Sequence, residues 1–369
     1  MTAAQYRLFL VAPPGLEHIV LAEAQDHGFA NPTPLRGGVE VSGTLPDLWH
    51  ASLALRTPAR ILLRVGEFRA MHLAQLHKRA RKLDWAALLR PDVPVMVEAT
   101  CHKSRIYHAK AAAQRVARAI DETLGVPVAD DAPLKIKIRI DDDLCTISLD
   151  TTGNALHLRG HKAKMGKAPL RENLAAACLR ACGFTGGTLV DPMCGSGTFV
   201  HEAAEIAHHL QPGRDRGFGF EHMAGFDAAA FAALRRPANI APGSPIEFFG
   251  YDRDQGAVRS ARDNAALAGV GDVTQFECAP ISELQPPTGA TPGLIMINPP
   301  YGARIGNRKQ LFGLYGVMGQ IMQDRFAGWR FGMITSDPGL AKATGLQFTG
   351  ISQPFSNGGL KIALYQAQL

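Results

Sequence analysis

The chain has 369 residues, of which 46% are hydrophobic and 20% are charged. This composition is typical of a folded globular protein, and the length is sufficient for two domains. No apolar run reaches the roughly 18 residues that a membrane-spanning helix needs, and the first residues lack the basic-then-apolar order of a secretory signal. We therefore expect a cytoplasmic protein without a membrane anchor.

The net charge of +6 is unevenly distributed along the sequence. Residues 56–118 contain fourteen lysines and arginines against four acids, and residues 151–171 contain five against none. Such clusters indicate phosphate-facing surfaces, although a solvated helix face or a basic linker would give the same pattern. The candidate phosphate-contacting residues are Lys78, Arg79, Arg81, Lys82, Lys103, Arg105, Lys162, Lys164 and Lys167.

The six cysteines form no Cys-x-x-Cys pair. Cys178 and Cys182 share one face of a predicted helix, but no second pair completes a zinc site at standard spacing. We therefore expect small buried thiols in a reducing compartment, and no bound metal.

The first part of the chain mixes short strands with helices and has no glycine-rich phosphate loop. Apolar periodicity predicts strands at 6–12, 39–42, 60–68 and 93–100, helices at 16–27, 45–55, 72–89 and 109–123, and a hairpin of strands 134–140 and 145–150. Residues 1–160 are therefore predicted to form an α+β binding module.

A stretch rich in Gly and Lys, residues 160–169, marks the predicted domain boundary. After a helix at 171–182, strands are predicted at 188–192, 246–252, 273–279, 294–298 and 331–336, with helices at 199–210, 255–268 and 311–324. Such alternation indicates a parallel sheet covered on both faces. Asn357-Gly358, between apolar runs 347–355 and 359–366, predicts a closing antiparallel hairpin. Residues 161–369 are therefore predicted to be an α/β, Rossmann-like class I methyltransferase domain with a seven-stranded mixed sheet.

Residues 191–198 (Asp-Pro-Met-Cys-Gly-Ser-Gly-Thr) follow a predicted strand and open a predicted helix. The two glycines allow a tight turn close to a ligand, and the helix start offers N–H groups to a cofactor carboxylate. Asp191 can accept a hydrogen bond from a cofactor ammonium group. The candidate cofactor-binding residues here are Asp191, Pro192, Cys194, Gly195, Ser196, Gly197 and Thr198. A structural turn or a dinucleotide site would give the same Gly-x-Gly pattern.

Asp252 ends the next predicted strand and can accept hydrogen bonds from both ribose hydroxyls of a nucleoside cofactor. Its separation from Gly197 exceeds the roughly 20 residues of a dinucleotide-binding fold, and residues 211–245 are interpreted as an insertion. Arg253, Ala279 and Pro280 complete the candidate cofactor-binding residues.

The most specific motif is Asn298-Pro299-Pro300-Tyr301-Gly302, which follows the fourth predicted strand. An exocyclic amine of a base is a poor nucleophile because its lone pair is delocalised into the ring. The Asn298 side-chain oxygen and the Pro299 carbonyl can each accept one N–H, which would aim the lone pair at a sulfonium methyl group. The prolines hold these acceptors rigidly, and Tyr301 can stack on a flipped base.

Asn298, Pro299, Pro300 and Tyr301 are therefore the candidate catalytic residues, and Asn298 is also a candidate cofactor contact. A proline-rich turn is the alternative interpretation. Methylation of a pyrimidine carbon needs a cysteine nucleophile, and none lies in or beside the motif, so direct transfer to nitrogen is favoured.

These motifs together resemble the amino-methyltransferases that carry an Asn-Pro-Pro-Tyr motif. Residues 9–28, 56–68 and 167–175, and Asn357-Gly358 with Leu364-Tyr365, are similar to the THUMP-domain RNA guanine-N2 methyltransferases, so the likeness covers nearly the whole chain. The resemblance implies a ferredoxin-like and THUMP RNA-binding module before the Rossmann-like catalytic domain. It also implies S-adenosylmethionine as methyl donor and guanine N2 of RNA, above all 23S ribosomal RNA, as the target.

The chain departs from the family pattern after the third strand, where members offer an acid to the adenine amine of the cofactor. Residues 277–280 here are Glu-Cys-Ala-Pro, so backbone groups of Ala279 or Ile281 are expected to serve instead. Since the chain ends at Leu369, we also expect it to lack the second fused methyltransferase of some members.

Three other functions remain open at this point. The Asn-Pro-Pro-Tyr motif does not distinguish bases, so adenine-N6 or cytosine-N4 methylation of RNA or DNA is an alternative. A non-catalytic RNA-binding assembly factor and a nicotinamide-dependent oxidoreductase are more remote ones. The intact glycine turn, Asp252 and Asn298 argue against the assembly factor, and the motif with the closing hairpin argues against the oxidoreductase.

Overall fold

A computed structural model describes residues 4–160, 170–301 and 308–369. The chain forms two compact units that exchange segments. Unit 1 comprises the residues up to Ala12, Leu21–Leu156 and Arg216–Arg235. Unit 2 comprises Pro13–Val20, His157–Asp215 and Arg236–Leu369. No single cut in the sequence therefore separates them.

Unit 1 is built on one sheet with the strand order β2-β3-β1-β4-β7-β6-β5. Its strands are β1 (Tyr6–Val11), β2 (Ala30–Leu35), β3 (Gly38–Gly43), β4 (Arg60–Arg69), β5 (Val95–His102), β6 (Leu134–Asp141) and β7 (Leu144–Asp150). Its helices are α2 (Leu45–Ala54), α3 (Leu73–Ala80), α4 (Ala109–Leu124) and the part of α1 (Glu17–Asp26) that follows Val20. The chain enters α1 from unit 2.

The predicted hairpin of β6 and β7 is confirmed, because the two strands pair antiparallel from Lys135–Asp150 to Asp141–Leu144. Along β6, buried positions alternate with more exposed ones, as a half-buried strand requires. Asp142 and Asp143 form the turn at φ of 51° and 60°, the left-handed conformation that matches the twist of the strands.

The predicted helix at 72–89 was wrong over its second half, because α3 ends at Ala80. The carbonyl of Ala80 accepts the indole N–H of Trp85 at 2.8 Å and the backbone N–H of Leu83 at 3.2 Å. The chain therefore turns back and buries the Trp85 ring instead of continuing the helix. Strand β2 was not predicted, since its sequence, Ala-Asn-Pro-Thr-Pro-Leu, has two prolines and little apolar character.

The segment Arg216–Arg235 belongs to unit 1, although it lies in the part of the sequence predicted to be catalytic. It contains α7 (Ala228–Leu234). The rings of Phe220, Phe226 and Phe231 surround Trp49 of α2, with centroids 5.7 to 6.4 Å away. The predicted insertion thus supplies part of the core of unit 1.

Unit 2 contains a mixed sheet with the order β10-β9-β8-β11-β12-β15-β13, and β14 pairs with β15. Its strands are β8 (Leu189–Asp191), β9 (Phe248–Asp252), β10 (Thr274–Cys278), β11 (Leu294–Ile297), β12 (Arg330–Thr335), β13 (Gly350–Ile351), β14 (Phe355–Asn357) and β15 (Leu360–Gln368). Its helices are α5 (Glu172–Ala181), α6 (Thr198–Ala207), α8 (Gln255–Leu267), α9 (Arg308–Arg325) and α10 (Pro338–Ala343).

The strands from β8 to β12 run parallel, and β15 is antiparallel to β12, as predicted for a class I methyltransferase sheet. The predicted strand at 347–355 is instead divided into β13 and β14. Pro354 lies between them, and proline has no N–H for the ladder. The Asn357-Gly358 hairpin therefore joins β14 to β15.

Both faces of this sheet are covered by apolar side chains. Leu294 and Met296 of β11 belong to a cluster with α5, α6 and α8, while Ile295 and Ile297 belong to a second cluster with α9 and α10. All four side chains of β11 are buried, which explains its continuous apolar sequence. Within the described residues, no helix is long and apolar enough to cross a bilayer.

Candidate active site

The predicted cofactor and catalytic residues of unit 2 lie at the carboxyl ends of neighbouring strands. Asp191 ends β8, Asp252 ends β9, and Asn298 directly follows β11. Because β8 lies between β9 and β11, and parallel strands are about 4.8 Å apart, the three side chains share one edge of the sheet. This is the edge where α/β sheets bind ligands.

The glycine loop after β8 combines one crowded position with one open position. Gly197 has φ of 85°, and an added Cβ would lie 2.6 Å from the His201 ring. Gly195 has φ of 55°, and an added Cβ would meet no described atom within 4 Å. Packing and backbone conformation thus explain Gly197, whereas Gly195 borders open space beside the strand ends.

Hydrogen bonds hold this loop in place. The N–H of Gly195 donates to Asp252 Oδ2 at 3.0 Å. The side chain of Asn264 in α8 donates to the Ser196 carbonyl at 3.2 Å. The loop leads into α6, which begins at Thr198, so the first N–H groups of that helix also lie at this edge.

Asp191 is a buried carboxyl group, with 2% of its surface exposed. One oxygen accepts the N–H of Met193 at 3.1 Å. Burial raises the pKa of Asp191 well above its usual range, and the charge of Asp252 adds to the shift. A cationic partner would stabilise the ionised form of this carboxyl.

Asp252 is fixed by two backbone groups, since Oδ1 accepts the N–H of Asp254 at 2.9 Å and Oδ2 accepts that of Gly195 at 3.0 Å. Each carboxylate oxygen keeps further acceptor capacity. The N–H of Ala279 donates to the Asp252 carbonyl at 3.1 Å, so this N–H is already engaged. An adenine amine is a donor and would need the Ala279 carbonyl instead.

The side-chain oxygen of Asn298 has an unusual environment. Its Oδ1 atom is buried, and none of the residues that the structure describes donates a hydrogen bond to it. A buried acceptor without a donor costs roughly 1–3 kcal/mol. Asn298 therefore presents an acceptor that a ligand N–H would satisfy. Pro299 and Pro300 follow Asn298 after the end of β11, whereas Gly302 lies outside the described residues.

Tyr315 of α9 supports this motif and was not identified from the sequence. Its hydroxyl donates to the Pro300 carbonyl at 3.3 Å and lies 3.4 Å from Thr335 Oγ1. Burial raises the pKa of Tyr315 well above its usual range, so the hydroxyl stays protonated and can donate. The sequence could have identified it as a residue with a hydroxyl group on the apolar face of a predicted helix, between Leu311 and Met318.

Tyr301 is held by packing. Its ring packs against both apolar clusters of unit 2. Burial is the main cause that raises the pKa of Tyr301, and the Asn357 side chain has the opposite effect. The Asn-Pro-Pro-Tyr segment is thus held by a tyrosine on α9 and by the packing of its own tyrosine ring.

The predicted RNA-binding residues divide into two groups. Six are exposed in unit 1: Lys78, Arg79, Arg81, Lys82, Lys103 and Arg105. Two of these six lie near acids, since Arg81 is 3.5 Å from Glu122 and Arg105 is 3.9 Å from Asp143. The other predicted residues, Lys162, Lys164 and Lys167, lie outside the described residues.

The expectation of buried thiols was wrong for Cys278, which is exposed because it ends the outermost strand, β10. Burial raises the pKa of the Cys178 and Cys194 thiols, so neither is readily ionised. Over the described ranges, no three His, Cys, Asp or Glu side chains form a group that could hold a metal ion.

The strand order, the glycine loop after β8 and the Asn-Pro-Pro-Tyr segment after β11 are together those of a class I methyltransferase domain. The chain belongs to the UPF0020 family of RMKL-like methyltransferase domains, whose family model matches residues 159–362. Residues 7–62 match the model of the RlmL ferredoxin-like domain, which confirms the ferredoxin-like prediction.

Individual relatives agree with this assignment. Ribosomal RNA large subunit methyltransferase K/L of Syntrophotalea carbinolica is 34% identical, over 98% of this chain and 53% of the relative. SMU.472, a proposed methyltransferase solved with SAH, is 30% identical with a TM-score of 0.89, over 100% of this chain and 99% of that one. A Listeria monocytogenes protein predicted to be an N6-adenine-specific DNA methylase is 28% identical with a TM-score of 0.88, over 99% and 96%.

The chain spans about half the length of the curated relatives it matches.

Proposed function

We propose that this chain transfers a methyl group from S-adenosylmethionine to the exocyclic N2 of a guanine in RNA, above all 23S ribosomal RNA. The observation that carries the proposal is the buried Asn298 Oδ1, which has no donor among the described residues and lies at the same sheet edge as Asp191 and Asp252. An exocyclic amine supplies the N–H that this acceptor lacks.

The residues at this edge suit S-adenosylmethionine, which supplies an electrophilic methyl group when bound. Asp191 would pair with the ammonium group, because a cation offsets the burial that raises the pKa of this carboxyl. Asp252 would accept the ribose hydroxyls with its remaining lone pairs. The carboxylate of S-adenosylmethionine would face the N–H groups at the start of α6, beside the open space at Gly195.

The protein's own part in the transfer is to orient the amine. Asn298 Oδ1 and the Pro299 carbonyl would each accept one N–H, which leaves the nitrogen lone pair directed at the methyl group. Tyr315 holds the Pro300 carbonyl, and the Tyr301 ring is packed in the apolar clusters, so the acceptors do not need to be ordered during the reaction. Tyr301 would stack on the flipped base with its ring face.

Two observations favour RNA as the substrate. The relatives that match nearly the whole chain are named ribosomal RNA large subunit methyltransferases. The six exposed cations of unit 1 would contact phosphates, and we assign the ferredoxin-like and THUMP module, residues 1–160, to RNA binding. Guanine N2 is the target implied by the resemblance of residues 9–28, 56–68 and 167–175, and of Asn357-Gly358 with Leu364-Tyr365, to the RNA guanine-N2 methyltransferases.

Adenine-N6 methylation is the second candidate. One structural relative, the Listeria protein, is predicted to be an N6-adenine-specific DNA methylase, and the acceptor pair at 298 and 299 suits any exocyclic amine of a base. The cofactor site would be the same for both reactions.

Nucleoside analysis distinguishes these reactions. The intact chain is incubated with S-adenosylmethionine and either unmodified 23S ribosomal RNA or DNA, and the digested nucleosides are analysed by mass spectrometry. N2-methylguanosine in RNA is expected, whereas N6-methyladenosine would favour the second candidate. Asn298→Ala should form product about 10²–10³ times more slowly, and Asn239→Ala, which alters an exposed asparagine, should match the unaltered chain. The absence of any methylated nucleoside would refute both candidates.

A further inference from the structure

Tyr107 is the most exposed large hydrophobic residue in the described part of the chain, with 76% of its surface accessible. It lies in the loop between β5 and α4 of unit 1, with its ring centroid 4.9 Å from that of His108. An aromatic ring this exposed contributes little to the core, and it leaves a face free for stacking. The exposed ring is therefore a candidate binding surface.

The loop that carries Tyr107 is held in one conformation by the turn between β6 and β7. Ser104 Oγ donates to the His102 carbonyl at 2.7 Å and accepts the N–H of Asp143 at 3.0 Å. The N–H of Arg105 donates to Asp143 Oδ1 at 2.7 Å. Lys103 has φ of 44°, a conformation that such a fixed loop can impose. Little ordering is therefore needed when a ligand binds here.

Three cationic residues lie within four positions of Tyr107 in the sequence. We define the Tyr107 platform as Lys103, Arg105, Tyr107, His108 and Lys110, all of them exposed. The nearby acids are already paired: Asp141 with Arg139, Asp142 with Arg69, and Asp143 with Arg105 of the platform itself. The lysines at 103 and 110 therefore give the platform a positive character.

We propose that the Tyr107 platform binds single-stranded RNA, with one unpaired base stacked on the Tyr107 ring and the neighbouring phosphates contacted by Lys103 and Lys110. The inference rests on the proposed function for RNA as the partner. Stacking on an aromatic ring needs a base that is free of its neighbours, which a continuous duplex does not offer. The platform would thus select a loop, a bulge or an unwound end of the substrate.

The test measures binding, not methyl transfer. The intact chain is titrated into a labelled short single-stranded RNA and into a blunt duplex of the same sequence, at several salt concentrations. Tyr107→Ala should weaken single-strand binding about tenfold without changing the salt dependence, because no charge is removed. Tyr107→Phe keeps the ring and should bind like the unaltered chain.

Two further variants complete the design. Plotted against log salt, log affinity falls with a negative slope. Lys103→Ala should make this slope less steep by about 0.7, the value for one phosphate contact to a single strand. Leu35→Ala removes another exposed apolar side chain of unit 1 and should leave binding unchanged. Thermal unfolding of each variant verifies that the fold is retained.

Unchanged single-strand binding by Tyr107→Ala would overturn the inference, as would an equal loss with Leu35→Ala or an equal loss on the duplex. Failure of the proposed function has a different signature. A chain that binds single strands through Tyr107 but methylates no guanine would support the proposed role of the Tyr107 platform and refute guanine-N2 transfer.

Discussion

Replacing Asn298 with alanine should separate activity from stability. Since Oδ1 of Asn298 is buried without a donor among the described residues, its removal relieves a cost of roughly 1–3 kcal/mol. The lost packing of the carboxamide offsets about 1 kcal/mol of this gain. The free energy of unfolding should therefore stay the same or rise by up to about 2 kcal/mol, and each 1 kcal/mol corresponds to a rise in Tm of about 2–4 °C.

Methyl transfer should respond in the opposite direction. Loss of one preorganised hydrogen-bonding group at a reacting centre commonly lowers kcat by about 10²–10³. The affinity for S-adenosylmethionine should stay within a few-fold, because the residues proposed for the ammonium and ribose groups are untouched. Single-turnover transfer, calorimetric titration of the cofactor and thermal unfolding measure the three quantities.

Asn298→Asp keeps an acceptor oxygen at this position and should retain measurable transfer, whereas Asn239→Ala should change none of the three quantities. A fall in Tm of Asn298→Ala by several degrees would refute the reasoning, since it would mean that the carboxamide is bonded in the folded protein. Equal losses of transfer and cofactor affinity would contradict the assigned role as well.

Three further outcomes are expected. A raised pKa keeps Asp191 protonated at low pH, and only the ionised carboxyl pairs with an ammonium group. Cofactor affinity measured by calorimetry should therefore rise with pH in that range. Asp191→Asn should weaken cofactor binding and flatten this pH dependence. Tyr315→Phe keeps the packing but frees the Pro300 carbonyl, so kcat should fall about tenfold with the KM for cofactor unchanged in steady-state assays. Charge removal at four exposed cations of unit 1, Lys78, Arg79, Arg81 and Lys82, should weaken RNA binding and flatten its salt dependence in a salt titration. No change would mean that these side chains do not contact RNA.

The sheet of unit 2 could be predicted because its strands are short apolar runs buried on both faces, as β11 illustrates. Order along the chain then placed Asp191 and Asp252 at the ends of β8 and β9 and Asn298 directly after β11, and parallel pairing brings the ends of such strands to one edge. These properties are local in sequence, or follow from topology alone.

What could not be predicted depends on contacts between distant residues. The hydrogen bond from Tyr315 to Pro300 spans fifteen positions, and in the sequence Tyr315 is one more member of an apolar stripe. The helix α3 ends early because the Trp85 indole bonds the Ala80 carbonyl, which propensity cannot show. The membership of Arg216–Arg235 in unit 1 likewise depends on phenylalanines that pack on Trp49.

The exchange of segments between the units has a consequence for biosynthesis. Trp49 leaves the ribosome long before Phe226 and Phe231, which complete its surroundings, so unit 1 cannot reach its final packing until translation has passed Arg235. By then the strand that carries Asp191 has already been made. Maturation of the two units is therefore interleaved in time, and fragments produced by cleavage at residue 160 would each lack part of their own interior.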